Sequence, residues 1–155
     1  MAQLGVSRCR QLAKQHLLRS GAVAVPAIRR GLTSTDAAVR RACVSLLDFL
    51  LDADAIPDLV RALDDSDVEV VRRALHALAC DGCKQGECRP GDELWVSRGV
   101  ELLSSRDPDV RAGAIDALAK LASRRPDVGG ALADVAAREP DPGLREMARR
   151  ASQVG

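Results

Sequence analysis

One histidine and three cysteines lie close together near the middle of the sequence, in the pattern His-x3-Cys-x2-Cys-x4-Cys. Residues four apart share one face of a helix, so His76 and Cys80 are expected to point at one centre where a helix ends. Three thiolates and one imidazole form the closed tetrahedral ligand set that is typical of structural zinc. The spacing therefore predicts a structural metal site made by His76, Cys80, Cys83 and Cys88. Zinc is the expected metal, and an iron–sulfur cluster is the second choice.

The same residues allow three other interpretations. In the first, the cysteines are reduced thiols in a loop without a ligand, although a bound metal would supply order that this loop otherwise lacks. In the second, Cys80 and Cys83 form a redox pair, but the βαβ pattern of thioredoxin-like proteins is missing. In the third, a thiol of Cys80, Cys83 or Cys88 is the nucleophile of a lyase with His76 as its base. The lyase and the closed metal site exclude each other because both need the same groups.

The cysteine cluster lies in the one irregular step of an internal repeat. Five residues of the first copy recur 31 residues later, in the pairs Pro26 and Pro57, Leu32 and Leu63, Asp36 and Asp67, Val39 and Val70, and Leu47 and Leu78. A third copy follows after a step of 40 residues, and a fourth after a step of 34. The nine additional residues of the longer step fall within a Cys-rich insertion at 80–92. Periods of this length are typical of repeat architectures.

Each copy has the pattern of two helices joined by a short polar turn. The first helix carries apolar residues at helical spacing, such as Ile56, Leu59 and Leu63. An aspartate in the turn is expected to cap the second helix, and Pro108 and Pro142 follow such aspartates where a missing N–H costs nothing. The pattern predicts one domain over 1–155, with a helical half-unit at 3–19 and hairpins at 24–52, 55–80, 95–123 and 128–153.

A short motif, Asp-x-x-Val-Arg-x-Ala, marks the start of the second helices. It is complete from Asp36 and partial from Asp107 and Asp141, whereas in the second copy Val71 stands where the arginine is expected. With this motif the units resemble HEAT repeats. The resemblance implies an all-α fold, a right-handed α-solenoid of about four hairpins plus an N-terminal helix, with the second helices on the concave side. Stacking is needed because one hairpin cannot bury its apolar face alone.

The resemblance also implies a binding function, with a protein or peptide partner on the concave face. Arg40, Arg111 and Arg145 are set apart from that surface, since each follows a capping aspartate by four residues and is expected to form a structural ladder between units. The remaining polar residues of the second helices are mixed in charge, so they do not define the charge of the partner. These candidates are Arg41, Ser45, Asp48, Glu69, Arg72, Asp116 and Lys120, together with His76.

Composition excludes several functional classes. The 155 residues include 23 Lys and Arg against 22 Asp and Glu, a net charge of +1, which argues against a dedicated nucleic-acid or anionic-membrane binder. One Trp, one Phe and no Tyr leave little for the base stacking that a HEAT-like DNA glycosylase would need. No phosphate-binding glycine loop or catalytic triad is found. A binding module or scaffold is therefore favoured over an enzyme.

The composition also predicts where the protein works. No apolar run reaches the ~18 residues of a membrane span, so no membrane association is expected. The sequence starts without the apolar segment of a secretion signal. The five cysteines are then expected to be thiols in a reducing compartment. We expect a cytoplasmic protein.

Overall fold

The computed structural model describes Leu12 and residues 15–50, 53–80 and 91–153. Residues 15–20 are helical, and eight further α-helices follow. No β-strand occurs in these ranges, which confirms the predicted all-α class. The eight helices are α1 (Val25–Gly31), α2 (Ala37–Leu50), α3 (Ile56–Arg61), α4 (Val68–Ala79), α5 (Val96–Leu102), α6 (Pro108–Ala119), α7 (Pro126–Arg138) and α8 (Pro142–Ser152).

These helices form four hairpins that stack in chain order. In each hairpin a first helix (α1, α3, α5 or α7) packs against the second helix that follows it. The second helices α2, α4, α6 and α8 also pack against each other, each on the next. They make a continuous layer, so the predicted α-solenoid is confirmed. None of the described helices is long and apolar enough to cross a lipid bilayer.

Aspartates cap the second helices, as their place in the turns predicts. The Asp67 carboxylate accepts a hydrogen bond from the backbone N–H of Val70 at 3.1 Å, and that of Asp141 accepts one from Leu144 at 2.9 Å. Asp107 accepts two, at 2.9 and 3.2 Å. A cap of this kind contributes about 1 kcal/mol, because it satisfies N–H groups that have no partner within the helix. The caps therefore set where each second helix begins.

Small residues allow the second helices to approach closely. Ala74, Ala114 and Ala148 occupy one register position in three successive second helices, and all are fully buried. Cys43 holds that position in α2 and is 7% exposed. Larger apolar side chains fill the space beside this row. Examples are Val44, Leu75 and Ile115, each at most 1% exposed.

Arginines at one repeated register position make polar contacts at the turns, and two of them link neighbouring hairpins. Arg40 donates from Nε and Nη2 to the two carboxylate oxygens of Asp65, both at 2.7 Å. Arg111 binds Glu139 in the same bidentate way, at 3.0 and 2.9 Å. Arg145, in the last hairpin, donates to the carbonyl of Glu139 at 2.8 Å. Arg40 and Arg111 thus form the predicted ladder between units, whereas Arg145 bonds within its own hairpin.

The same carboxylates also shape the turns that follow them. Asp65 accepts a hydrogen bond from the backbone N–H of Asp67 at 2.8 Å, and Glu139 accepts one from Asp141 at 3.1 Å. Each carboxylate thus joins the arginine of one hairpin to the capping residue of the next. Arginine neighbours and these hydrogen bonds lower the pKa values of Asp65 and Glu139, with the arginine hydrogen bond as the largest cause.

Removing one ladder arginine should destabilise the array. We expect Arg111→Ala to lower the free energy of unfolding by about 3 kcal/mol, because the Glu139 carboxylate, only 4% exposed, would remain buried without its cation. Urea denaturation followed by circular dichroism measures the change. The control is Arg138→Ala, which removes an arginine that is 78% exposed and should cost less than about 0.5 kcal/mol. Equal losses in the two variants would contradict a structural ladder.

Candidate partner-binding groove

A groove of about 410 Å³ lies on the outer face of the second helices. All four of α2, α4, α6 and α8 contribute side chains to it, so it runs across the whole stack. We call it the second-helix groove. It is lined by Ser45, Asp48, Glu69, Arg72, Arg73, His76, Ala112, Gly113, Asp116 and Met147.

Helix α6 has small residues in the groove at the positions where α4 has large ones. In the repeat register, Ala112 and Gly113 correspond to Arg72 and Arg73. Gly113 lies directly under the neighbouring helix: a Cβ atom there would be 3.4 Å from Cγ of Arg72 and from Cδ1 of Leu75. The floor of the groove is therefore backbone and methyl groups. Any larger side chain at these positions would reduce its volume.

Charged side chains on one wall hold each other in place. Arg73 donates from Nε to Glu69 at 2.8 Å and from Nη1 to the Ser45 hydroxyl at 2.7 Å. Arg72 makes a longer contact with Glu69, 3.3 Å from Nη1 to Oε2, and 47% of its side chain is exposed. Arg73 is thus fixed by two partners, whereas the guanidinium group of Arg72 remains accessible for a further partner.

Weaker polar contacts lie in the rest of the groove. The His76 imidazole is 60% exposed, and its Nε2 lies 3.9 Å from Oδ2 of Asp48, too far for a direct hydrogen bond. Asp116 lies 3.6 Å from the ammonium group of Lys120 and is 65% exposed. Met147 adds an apolar side chain that is 39% exposed. The groove therefore presents positive, negative and apolar groups side by side.

The structure brings six of the sequence candidates together in this groove. Arg41 and Lys120 are not among its lining residues. Arg41 instead binds the Asp67 carboxylate with Nε, at 2.8 Å, and with Nη2. Lys120 lies beside the groove through its contact with Asp116. The six lining candidates are Ser45, Asp48, Glu69, Arg72, His76 and Asp116.

Sequence reasoning missed four residues that shape the groove. Arg73, Gly113 and Met147 hold one register position in α4, α6 and α8, and Ala112 is next to it. A pattern search for charged residues passes over alanine and glycine. The available signal was a pair of small residues on a helix face that is otherwise polar.

The predicted metal cofactor, zinc or an iron–sulfur cluster, is wrong for the described part of the chain. Among Leu12 and residues 15–50, 53–80 and 91–153, no three His, Cys, Asp or Glu side chains are grouped to hold a metal ion. Helix α4 ends at Ala79, and Cys80 is its C-cap residue with φ −70° and ψ 118°, so the chain leaves the helix direction after Cys80.

His76 and Cys80 differ in their exposure to solvent. His76 lines the second-helix groove, whereas Cys80 is 8% exposed. Cys83 and Cys88 lie outside the described residues. A buried Cys80 thiol is poorly placed for the nucleophile or the redox pair that the cysteine spacing also allowed.

Comparisons with known proteins agree with this architecture. Residues 9–79 match the family model for HEAT repeats. The complex of CpcE and CpcF of phycocyanin lyase from Nostoc sp. PCC7120 is similar with a TM-score of 0.71 and 18% identity, over 92% of this chain and 88% of that chain. Computationally designed armadillo repeat proteins for modular peptide recognition are similar with a TM-score of 0.65 and 21% identity, over 89% of this chain and 66% of that chain.

Sequence identity to these solved structures is below 30%. A third structure, an engineered protein, has a TM-score of 0.56 and 27% identity, over 85% of this chain and 62% of that chain. Among curated protein sequences, none matches this chain significantly. The two structures with the higher TM-scores therefore show a shared fold.

The capping residue Asp67 should make stability depend on acid pH. Hydrogen bonding from Arg41 lowers its pKa to about 2, with further contributions from backbone N–H groups. Because the unfolded carboxyl has a pKa of about 3.9, this group stabilises the fold at higher pH, and the stabilisation is lost as the pH falls from about 4 toward 2. Asp67→Asn keeps a capping side chain but loses the ion pair, so its free energy of unfolding at pH 7 should be about 1 kcal/mol lower. The loss is small because solvent screens the exposed Arg41.

Unfolding free energies measured between pH 7 and pH 2 test this expectation. Below pH 4 the free energy of unfolding of Asp67→Asn should decline less steeply than that of the wild type. Asp134→Asn removes a carboxylate that is 70% exposed and serves as the control. Parallel pH profiles for wild type and Asp67→Asn would contradict the assignment.

Proposed function

We propose that this chain, a HEAT-like repeat protein, is a non-enzymatic scaffold that binds a protein or peptide partner in the second-helix groove. The observation that carries this proposal is the continuity of the groove over all four hairpins. A repeat array gains its binding surface in this way, because each unit adds a few side chains to one extended face. In HEAT repeats that face is expected to be concave.

The groove carries charges of both signs, which favours a partner with a matching pattern of charges over one with a single net charge. Arg72 contributes a positive charge, whereas Asp48 and Asp116 contribute negative charges. A partner must match this arrangement of both signs, which gives specificity more than general electrostatic attraction. The ion pairs around Arg73 hold part of the surface in place before binding, which lowers the entropic cost of association.

The structural neighbours support the same class of partner. One is a complex of two proteins, CpcE and CpcF, and the other was designed for modular peptide recognition. Both use a stack of helical repeats similar to this one. The peptide-binding design is the neighbour on which we base the choice of a protein or peptide ligand for this chain.

Site-specific photo-crosslinking in the source cell tests the location of the partner. A benzophenone amino acid is placed at Asp116 in the groove or, in a second variant, at the exposed Ala133 of α7. We expect a defined crosslinked species from position 116 and none from position 133, identified by mass spectrometry. A crosslink from position 133 alone would place the partner on another surface.

Two glycine substitutions provide a matched test of the groove itself. Gly113→Arg adds a long cationic side chain to the groove floor, and the crosslink from position 116 should fall at least about tenfold. Gly130→Arg makes the same chemical change in α7, where a Cβ would meet no atom within 4 Å, and should leave the crosslink unchanged. Equal yields in both variants would overturn the proposal that the partner occupies the groove.

A further inference from the structure

Two arginines cross the interface between the first and second hairpins. Arg40 binds the Asp65 carboxylate, and Arg41, the next residue, binds the Asp67 carboxylate. Both carboxylates belong to the turn of the second hairpin. This interface is therefore held by two guanidinium–carboxylate pairs at its turn edge.

The interface between the second and third hairpins has neither pair. In the repeat register, α4 has Val71 and Arg72 at the two arginine positions, and Ser105 replaces the first carboxylate. Val71 is buried and carries no donor. Arg72 binds Glu69 of its own helix. The ladder is thus interrupted at both ends of the contact, because donor and acceptor are changed together.

A pocket of about 210 Å³ opens at this interrupted contact, between the two turns. We call it the junction pocket. One water molecule takes about 30 Å³ in the liquid, so the pocket has room for a larger polar group. Its walls include Asp64, Asp65, Ser66, Val71, Ser105 and Asp107.

The backbone of the pocket offers the acceptors that bind arginine elsewhere in the chain. Arg40 donates from Nη1 to the carbonyls of Ser34, at 2.8 Å, and Thr35, at 3.3 Å. The ladder arginine of the third hairpin does the same to its own turn. The corresponding carbonyls in the junction pocket are those of Asp65 and Ser66. They accept no hydrogen bond from any described residue.

A carboxylate oxygen of Asp107 completes this set of acceptors. Its Oδ1 caps α6 by accepting from the N–H groups of Asp109 and Val110. Its Oδ2 accepts no hydrogen bond within the described residues. In the preceding hairpin the corresponding Asp67 uses both oxygens to bind Arg41. Asp107 can therefore accept one more charged donor.

The cation already present at the pocket does not use these acceptors. Arg98, on α5, directs its Nη2 to Asp64 and its Nη1 to Glu101, both at 2.6 Å. Of the three carboxylates in the pocket walls, Asp64 is paired with Arg98 and Asp65 with Arg40, so among the described residues only Asp107 has no arginine partner. This carboxylate favours a positively charged occupant.

We propose that the junction pocket binds an arginine side chain of a partner protein. The guanidinium group would donate to the carbonyls of Asp65 and Ser66, as Arg40 and Arg111 do to the corresponding carbonyls of their own turns, and to Oδ2 of Asp107, which corresponds to the carboxylate that Arg41 binds. A planar guanidinium group suits several acceptors in one plane, whereas a lysine ammonium group is a compact point charge. The pocket is at the turns and separate from the second-helix groove, so this contact is a second point of attachment.

Backbone amide NMR shifts test the proposal directly, with N-acetyl-arginine-methylamide as the probe. Saturable shifts are expected for the amides of residues 65–67 and 105–107. The lysine and citrulline analogues should bind at least about tenfold more weakly, because one lacks the planar fork and the other lacks the charge. Equal binding of all three compounds, or the absence of saturable shifts with the arginine compound, would overturn the proposal.

Matched variants separate the pocket from general charge effects. Val71→Arg supplies a guanidinium group from the chain itself and should abolish binding of the arginine compound. Val23→Arg makes the same change at an 88% exposed site and should leave it intact. If Val71→Arg fails to fold, Asp107→Asn retains a capping side chain and should weaken binding at least about tenfold. Gly113→Arg should not affect this binding, so failure of the groove proposal and failure of this one are distinguishable.

Discussion

Burial of apolar faces between neighbouring hairpins is the constraint on which the rest of the structure depends. A single hairpin exposes one side of its second helix, and only the next hairpin can cover it. The row of Ala74, Ala114 and Ala148 brings the second helices close enough to exclude water. Because the inner face of this helix layer is fully used for packing, its outer face is left to polar side chains. The second-helix groove lies on that outer face.

The arginine ladder adds direction to this packing. Apolar contacts alone are non-directional, whereas the bidentate pairs of Arg40 with Asp65 and of Arg111 with Glu139 define how one turn sits on the next. The middle interface, between the second and third hairpins, has a different arrangement. It has the longer connection between units and the more exposed Arg98–Asp64 pair in place of a ladder arginine.

Both proposed binding sites include residues of this middle interface. In the groove, Ala112 and Gly113 of α6 lie beside Arg72 of α4, and the junction pocket lies between the turns of the same two hairpins. In regular units, the repeated residues are needed for packing between hairpins. Residues that depart from the repeat do not make those contacts and can bind a partner instead. In this chain, the departures are small residues in one place and a missing guanidinium group in another.

The sequence by itself determined the elements: helical periodicity, aspartate caps and the register of Arg40 and Arg111 depend on residues within a few positions of one another, and all were correctly predicted. Only the tertiary structure decided which partners the side chains choose. Arg41 finds its carboxylate 26 residues away, on the next hairpin, and so leaves the groove. Packing also decided exposure: Cys80 is buried, whereas His76 is exposed in the groove. Spacing along the chain determines a helix and its caps, whereas the neighbours of a side chain across an interface are set by packing.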